Sequence, residues 1–204
     1  MGRIEMYIDS MPGSLIDERT SENAISEYKK YLSKRFRKDL PTILERTKKL
    51  SNIRTTNTNP CLNLLLESRE AYTKGLFYST IAMAGISAER YAIEISTKIV
   101  FKSSNKEISL EDLFERLSQS QRIKILSDLG LIGSEIKNEL NEINKIRNKY
   151  IHPKRIGDLE KDALIIVNRM AKILEIEFNE NYYIKEGKLV PKAKKWLIQI
   201  LLIQ

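Results

Sequence analysis

The sequence predicts an all-α protein, and three observations carry that prediction. Only eight Gly and five Pro occur in 204 residues, too few for the turns of a β-rich fold. Lys, Glu, Ile, Leu and Asn dominate, a composition that favours helices joined by short turns. Apolar residues also recur at helical spacing through most of the chain. The length suits one well-buried core with an extension at each end. The expected divisions are 1–57 (an arm and a helix), 58–180 (a helical core) and 181–204 (a hairpin and tail).

Residues 1–15 mix Gly, Pro, Met and Ser without periodicity and read as an irregular arm, a place for a partner protein to order it. From Asp17 to Lys38 the residues Ala24, Ile25, Tyr28, Leu32 and Phe36 form a helical stripe, and Pro41 predicts a bend or restart before Ile43 and Leu44. Lys29, Lys30, Lys34, Arg35, Arg37 and Lys38 crowd its other side, ordinarily a solvated face but one able to grip phosphates. The Asn- and Thr-rich stretch from Ser51 to Pro60 reads as a linker.

Beyond it, Leu62, Leu65, Leu66, Tyr72 and Leu76 make one stripe, and after Gly75 a long helix carries Ile81, Ala84, Ala88, Tyr91, Ile95 and Ile99. The pair reads as an antiparallel hairpin, with Ala82, Ala84, Gly85 and Ala88 allowing close approach of a neighbour. A Ser-rich break near Ser103 leads to Ser109, expected to cap a short helix with Glu111 and Asp112 in its first turn. Another short helix spans Gln121 to Leu129. Gly130 and Gly133 bracket a turn, and Ser134 opens a helix to Ile151, which His152 and Pro153 terminate. A further helix covers Asp158 to Glu177, and Tyr182 to Val190 predicts a small hairpin around Glu186 and Gly187. The apolar run from Trp196 to Ile203 is expected to dock on the core or on a second copy.

The net charge of +8 favours an anionic partner. Cys61 is the only Cys and His152 the only His, so neither an intrachain disulfide nor a zinc cluster is expected, and no cofactor is indicated. Without an apolar leader or a run of about 18 apolar residues, the expectation is a cytoplasmic protein with no membrane insertion.

One helix breaks its own pattern. On a wheel of about 100° per residue, Ile136, Leu140, Ile143, Tyr150 and Ile151 share an arc of about 100°, and Arg147 lies about 20° from Leu140, inside it. A guanidinium there costs several kcal/mol to desolvate (~3–5) unless it is paired or opens on a wet cleft. Asn148 and His152 are neighbours at i, i+4, and Lys145, Lys149, Lys154 and Arg155 surround them, so the group reads as a pocket for a phosphate. The plainer alternative pairs Arg147 with Glu89 on the long helix and leaves His152 to satisfy carbonyls at a helix end. Arg69, at an equally apolar wheel position beside Leu62, shows that such an Arg occurs elsewhere in the chain.

The run IRNKYIHP resembles the signature of the HEPN superfamily, in which an Arg, commonly followed by a small polar residue, precedes a His with four to six residues between them. Arg147 and His152 have four residues between them. The upstream stretch ESREAYTKGLFYSTIAMAGISAERYAIEIS is similar in context, and the resemblance covers residues 62 to 178. It implies an antiparallel up-and-down helical bundle that forms a homodimer, with two motif helices brought together. It further implies a metal-independent endoribonuclease, used in defence or stress, in which His152 moves a proton, Arg147 stabilises phosphoryl charge and Asn148 orients them. Its products would end in 2′,3′-cyclic phosphates. Lys145, Lys149, Lys154 and Arg155 would bind the RNA substrate and Glu89 would support Arg147. Lys154 stands where the nucleotidyltransferase-paired branch has a Tyr. The alternative function is a non-catalytic module that binds nucleotide, nucleic acid or a protein.

Overall fold

The structure, a computed structural model of the chain, describes residues 22–55, 60–96, 100–103, 106–109, 116–151, 157–185 and 188–191. It is an all-helical bundle with two short hairpins. Along the chain run α1 (Glu22–Lys48), α2 (Pro60–Thr73), α3 (Phe77–Ser96), β1 (Val100–Ser103), β2 (Lys106–Ser109), α4 (Gln119–Asp128), α5 (Ser134–Ile151), α6 (Leu159–Asn181), β3 (Tyr182–Lys185) and β4 (Lys188–Pro191). Contacts divide the chain into two compact units, Met1–Leu44 and Glu45–Gln204.

In the first unit the described residues belong to α1, which continues through Pro41 as one helix and does not restart after it. Proline removes one N–H from the ladder. Arg37, whose carbonyl loses that partner, and Pro41 are both exposed, which leaves the carbonyl open to solvent and lets the helix tolerate the gap.

In the second unit α3 is the central element, packed against α2, α4, α5 and α6. Small residues make that possible: Ala84, Ala88 and Ala92 are buried to 1 % exposure or less, letting neighbours approach closely. Around them close Leu65 and Tyr72 of α2, Ile123 and Leu126 of α4, Leu140 and Ile143 of α5, and Ile166, Met170 and Leu174 of α6. Two buried serines tie the α2–α3 hairpin. Ser68 donates to the Thr80 carbonyl at 2.8 Å and Ser87 to the Cys61 carbonyl at 2.6 Å, so neither hydroxyl is buried without a partner.

The turns follow from local chemistry. Gly75 takes φ 79°, where a side chain is strained. Leu76 then donates to Ala71 and Gly75 to Tyr72, closing the last carbonyls of α2. Gly130 repeats the device after α4, with Leu131 donating to Leu126. Ser118 and Gln121 form a capping box at the start of α4, and Asp158 accepts from the Lys161 amide at the start of α6.

Three expectations need correction. The division at residue 57 and the linker beginning at Ser51 do not hold, because residues 45–55 belong to the bundle unit. Arg46 Nε donates to Glu160 at 3.3 Å with its guanidinium over the Phe77 ring, the Ser51 amide donates to Asn168 Oδ1 at 2.9 Å, and Leu50 and Ile53 pack on the core. Polar composition alone does not reveal such anchoring. Arg69 also finds its explanation here, donating to the Ser51 carbonyl at 2.6 Å, and burial lowers its pKa. Finally, the Ser-rich break contains a hairpin: β1 and β2 pair antiparallel from Val100↔Ser109 to Ser103↔Lys106. Ser109 thus closes a strand, and the helix expected after it lies outside the described residues. The predicted C-terminal hairpin is present, with Tyr182↔Pro191 and Lys185↔Lys188 in register. The apolar run from Trp196 and the N-terminal arm lie outside the described residues.

Candidate functional site

Helix α5 runs as the sequence predicts, from Ser134 to Ile151. Ile136, Leu140 and Ile143 are 3 % exposed or less and face the core, while Tyr150 is half-buried at the edge. Arg147 sits between these faces. Its Nη1 donates to Glu89 Oε1 of α3 at 2.5 Å, and the two side chains keep 22 % and 26 % of their surface exposed. The pair therefore stands at the rim of the α3–α5 interface, neither sealed in the core nor fully solvated, and its attraction is only partly screened.

Gly85 makes this placement possible. It lies one helical turn before Glu89 on the same face of α3, and a Cβ built there would collide with the Arg147 side chain at Cδ. The aliphatic stem of Arg147 thus crosses the bare backbone at Gly85 while its head reaches Glu89, so the guanidinium is held by contacts on two levels of α3. Sequence reading found Glu89 but took Gly85 only as a packing residue. Their i, i+4 spacing was the available signal.

The neighbours divide. Asn148 is exposed, and Lys145 is exposed with only a 3.7 Å approach to Glu142. Lys149, expected to bind substrate, is instead engaged within the chain: its ammonium lies 2.5 Å from Asp162 of α6 and 5.3 Å from the centre of the Tyr150 ring. Tyr150 donates to the same carboxylate at 2.6 Å and meets Tyr78 of α3 edge-on at 6.0 Å. Burial pushes the Asp162 carboxyl up, but the hydrogen bonds from Lys149 and Tyr150 outweigh it and hold the carboxyl below its ordinary value. The Tyr150 phenol is raised well above its ordinary value, by burial first and then by its bond to the Asp162 carboxylate.

His152, Lys154 and Arg155 lie outside the described residues. The last turn of α5, up to Tyr150, and the first turn of α6, through Asp162, are joined by the Tyr150–Asp162 and Lys149–Asp162 contacts. Asp162 has no counterpart in the sequence reading.

A second ionic cluster lies further along the same two helices. Glu139 accepts from Arg169 and Lys172 at 2.5 and 2.8 Å. Burial pushes its carboxyl up, but the two cations prevail and the net direction is down. The cluster cross-links α5 to α6 and keeps the motif helix in place. Among the described residues no group of three or more His, Cys, Asp or Glu is placed to hold a metal ion, and no helix is long and apolar enough to cross a membrane. No family model, curated protein or solved structure matches the chain.

Proposed function

We propose that the chain is an HEPN-type, metal-independent endoribonuclease acting as a homodimer, with Arg147 and His152 as the reacting pair and Asn148 beside them. The observation that carries the reading is the placement of Arg147: a guanidinium fixed by Glu89 and Gly85 at a partly exposed rim, one residue from the exposed Asn148 and five before the only His. Immobilised donors aimed at a site where charge develops are the form that electrostatic catalysis takes. Glu89 occupies Nη1, and among the described residues no other acceptor holds the fork, which leaves donors for a phosphoryl oxygen.

In this reading His152 accepts the proton of the RNA 2′-hydroxyl as that oxygen attacks the adjacent phosphorus, the bond from phosphorus to the 5′-oxygen of the next nucleotide breaks, and that oxygen takes a proton from water. Arg147 stabilises the added charge on the non-bridging oxygens. The partner surface is supported by Tyr78 and Ile86 of α3, the helix that holds Arg147, which are exposed to 56 % and 36 %. Tyr78, Ala82 and Ile86 follow at i, i+4, i+8, which makes an apolar strip for a second copy.

The alternative, a non-catalytic module for nucleotide, nucleic acid or protein, is favoured by the same ion pair, since Glu89 already neutralises Arg147. End-group analysis separates the two. RNA incubated with the protein in EDTA should acquire 2′,3′-cyclic phosphate ends. Intact RNA supports the module, and 3′-hydroxyl ends would contradict the chemistry proposed here.

A further inference from the structure

The first unit carries a feature that the motif does not use. In α1 the stretch 26–38 holds six cations, Lys29, Lys30, Lys34, Arg35, Arg37 and Lys38, against Glu27 alone, a local net charge of +5. Four of them, Lys29, Lys30, Lys34 and Arg37, join the hydroxyls of Ser26 and Ser33 to line one open cavity of about 440 Å³. Ser26 and the whole run from Lys29 to Asp39 are exposed. At about 100° per residue the six lining residues fall within an arc of about 140°, so cations and hydroxyl donors alternate along a single strip of the helix. Arg35 and Lys38 lie off it, and Arg35 already approaches Asp39 at 3.9 Å.

We infer that this strip is a phosphate rail for single-stranded RNA. The inference rests on RNA being the substrate class proposed above and assigns that strand a second contact surface. Three properties fit. Cations recur about one helical turn, about 5.4 Å, apart along the strip, so several can face one extended phosphate backbone at once. Serine hydroxyls add donors that charge alone does not supply. Tyr31 and Phe36, 56 % and 58 % exposed, border the strip on its two sides and offer aromatic surface on which unpaired bases stack. An anionic membrane is the competing partner of a basic amphipathic helix. The apolar arc of α1 disfavours it, because the exposed Asp39 falls between Tyr28 and Leu32 on the wheel and would carry a carboxylate into the lipid interface.

The test compares two charge-matched variants of the full chain, Lys34→Gln/Arg37→Gln on the strip and Arg35→Gln/Lys38→Gln off it. Both are made in a His152→Ala background so that the strand stays intact. Binding to a 20-nucleotide oligouridylate is followed from low to moderate salt. The strip variant should lose roughly tenfold in affinity at low salt, and the slope of log affinity against log salt should flatten by about 1.4, at about 0.7 per phosphate contact. The off-strip variant should stay within about twofold. Equal losses in both, or a loss in neither, overturn the rail. So does binding to phosphatidylserine vesicles that disappears in the strip variant while its RNA binding is unchanged. Cleavage by the unmutated chain is scored separately: a chain that binds through the strip and never cleaves retains the rail and loses the ribonuclease.

Discussion

Gly85 and Glu89 show how little sequence is needed to place a charge. A helix that lacks one Cβ admits the stem of Arg147, and a carboxylate one turn later holds its head. Gly85→Ala should therefore displace Arg147, destabilise the fold by about 1–3 kcal/mol through overpacking, and lower RNA cleavage by more than that stability loss explains. Urea unfolding and initial rates on one preparation check both. Glu89→Gln keeps the volume and a weaker acceptor, so cleavage should fall about tenfold with the fold retained, whereas Arg147→Ala should cost about a hundredfold or more. The wheel identified Arg147 as out of place, and Glu89 was legible as its partner. Gly85 was not legible as a functional residue, because a glycine in a packed helix has the same sequence appearance whether it admits a backbone or a side chain. Asp162 was missed for a related reason: an acid in the first turn of a helix is already accounted for by the helix dipole.

At the scale of elements, α5 is held to α6 by two ionic groups, Glu139 with Arg169 and Lys172, and Asp162 with Lys149 and Tyr150. Both carboxyls have folded pKa values below their ordinary 4.5 and 3.8. A depressed pKa contributes stability that is present above the unfolded value and is lost as pH falls through the folded one. Thermal midpoints should therefore drop below about pH 4.5, and the drop should be smaller in Glu139→Gln. Glu139→Ala at neutral pH should cost about 1–3 kcal/mol, because Arg169 loses its acceptor and Lys172 is left with Glu135 alone. Helix boundaries were readable where caps and breakers spell them out, as at Ser134 and before Pro153. The β1–β2 hairpin was not, since four-residue strands among serines carry little periodicity. Ser51–Thr55 looked like a linker because its anchoring comes from Asn168 and Arg69, far away in sequence.

For the whole molecule, the bundle unit and the α1 unit carry different chemistry, the first Arg147 held by Glu89 five residues before the only His in the sequence, the second a run of six cations between Lys29 and Lys38. The all-helical class followed from composition and periodicity, as those depend on local residues only. Burial supplies an independent probe of the bundle. Cys61 is fully buried, and burial, with the Glu94 carboxylate beside it, pushes its thiol up to about 12. Alkylation of Cys61 at neutral pH should therefore report global unfolding, slow in native protein and accelerated in step with urea denaturation. Fast labelling of native protein would mean that the α2–α3 hairpin opens on its own.

The central claim is that Arg147 and His152 form a metal-independent ribonuclease site, and the rate of RNA cleavage in EDTA by the native chain and by His152→Ala tests it most directly. Cleavage by the native chain that falls at least a hundredfold in the variant, with unfolding curves superimposed, is the predicted result. Equal cleavage by both would contradict it.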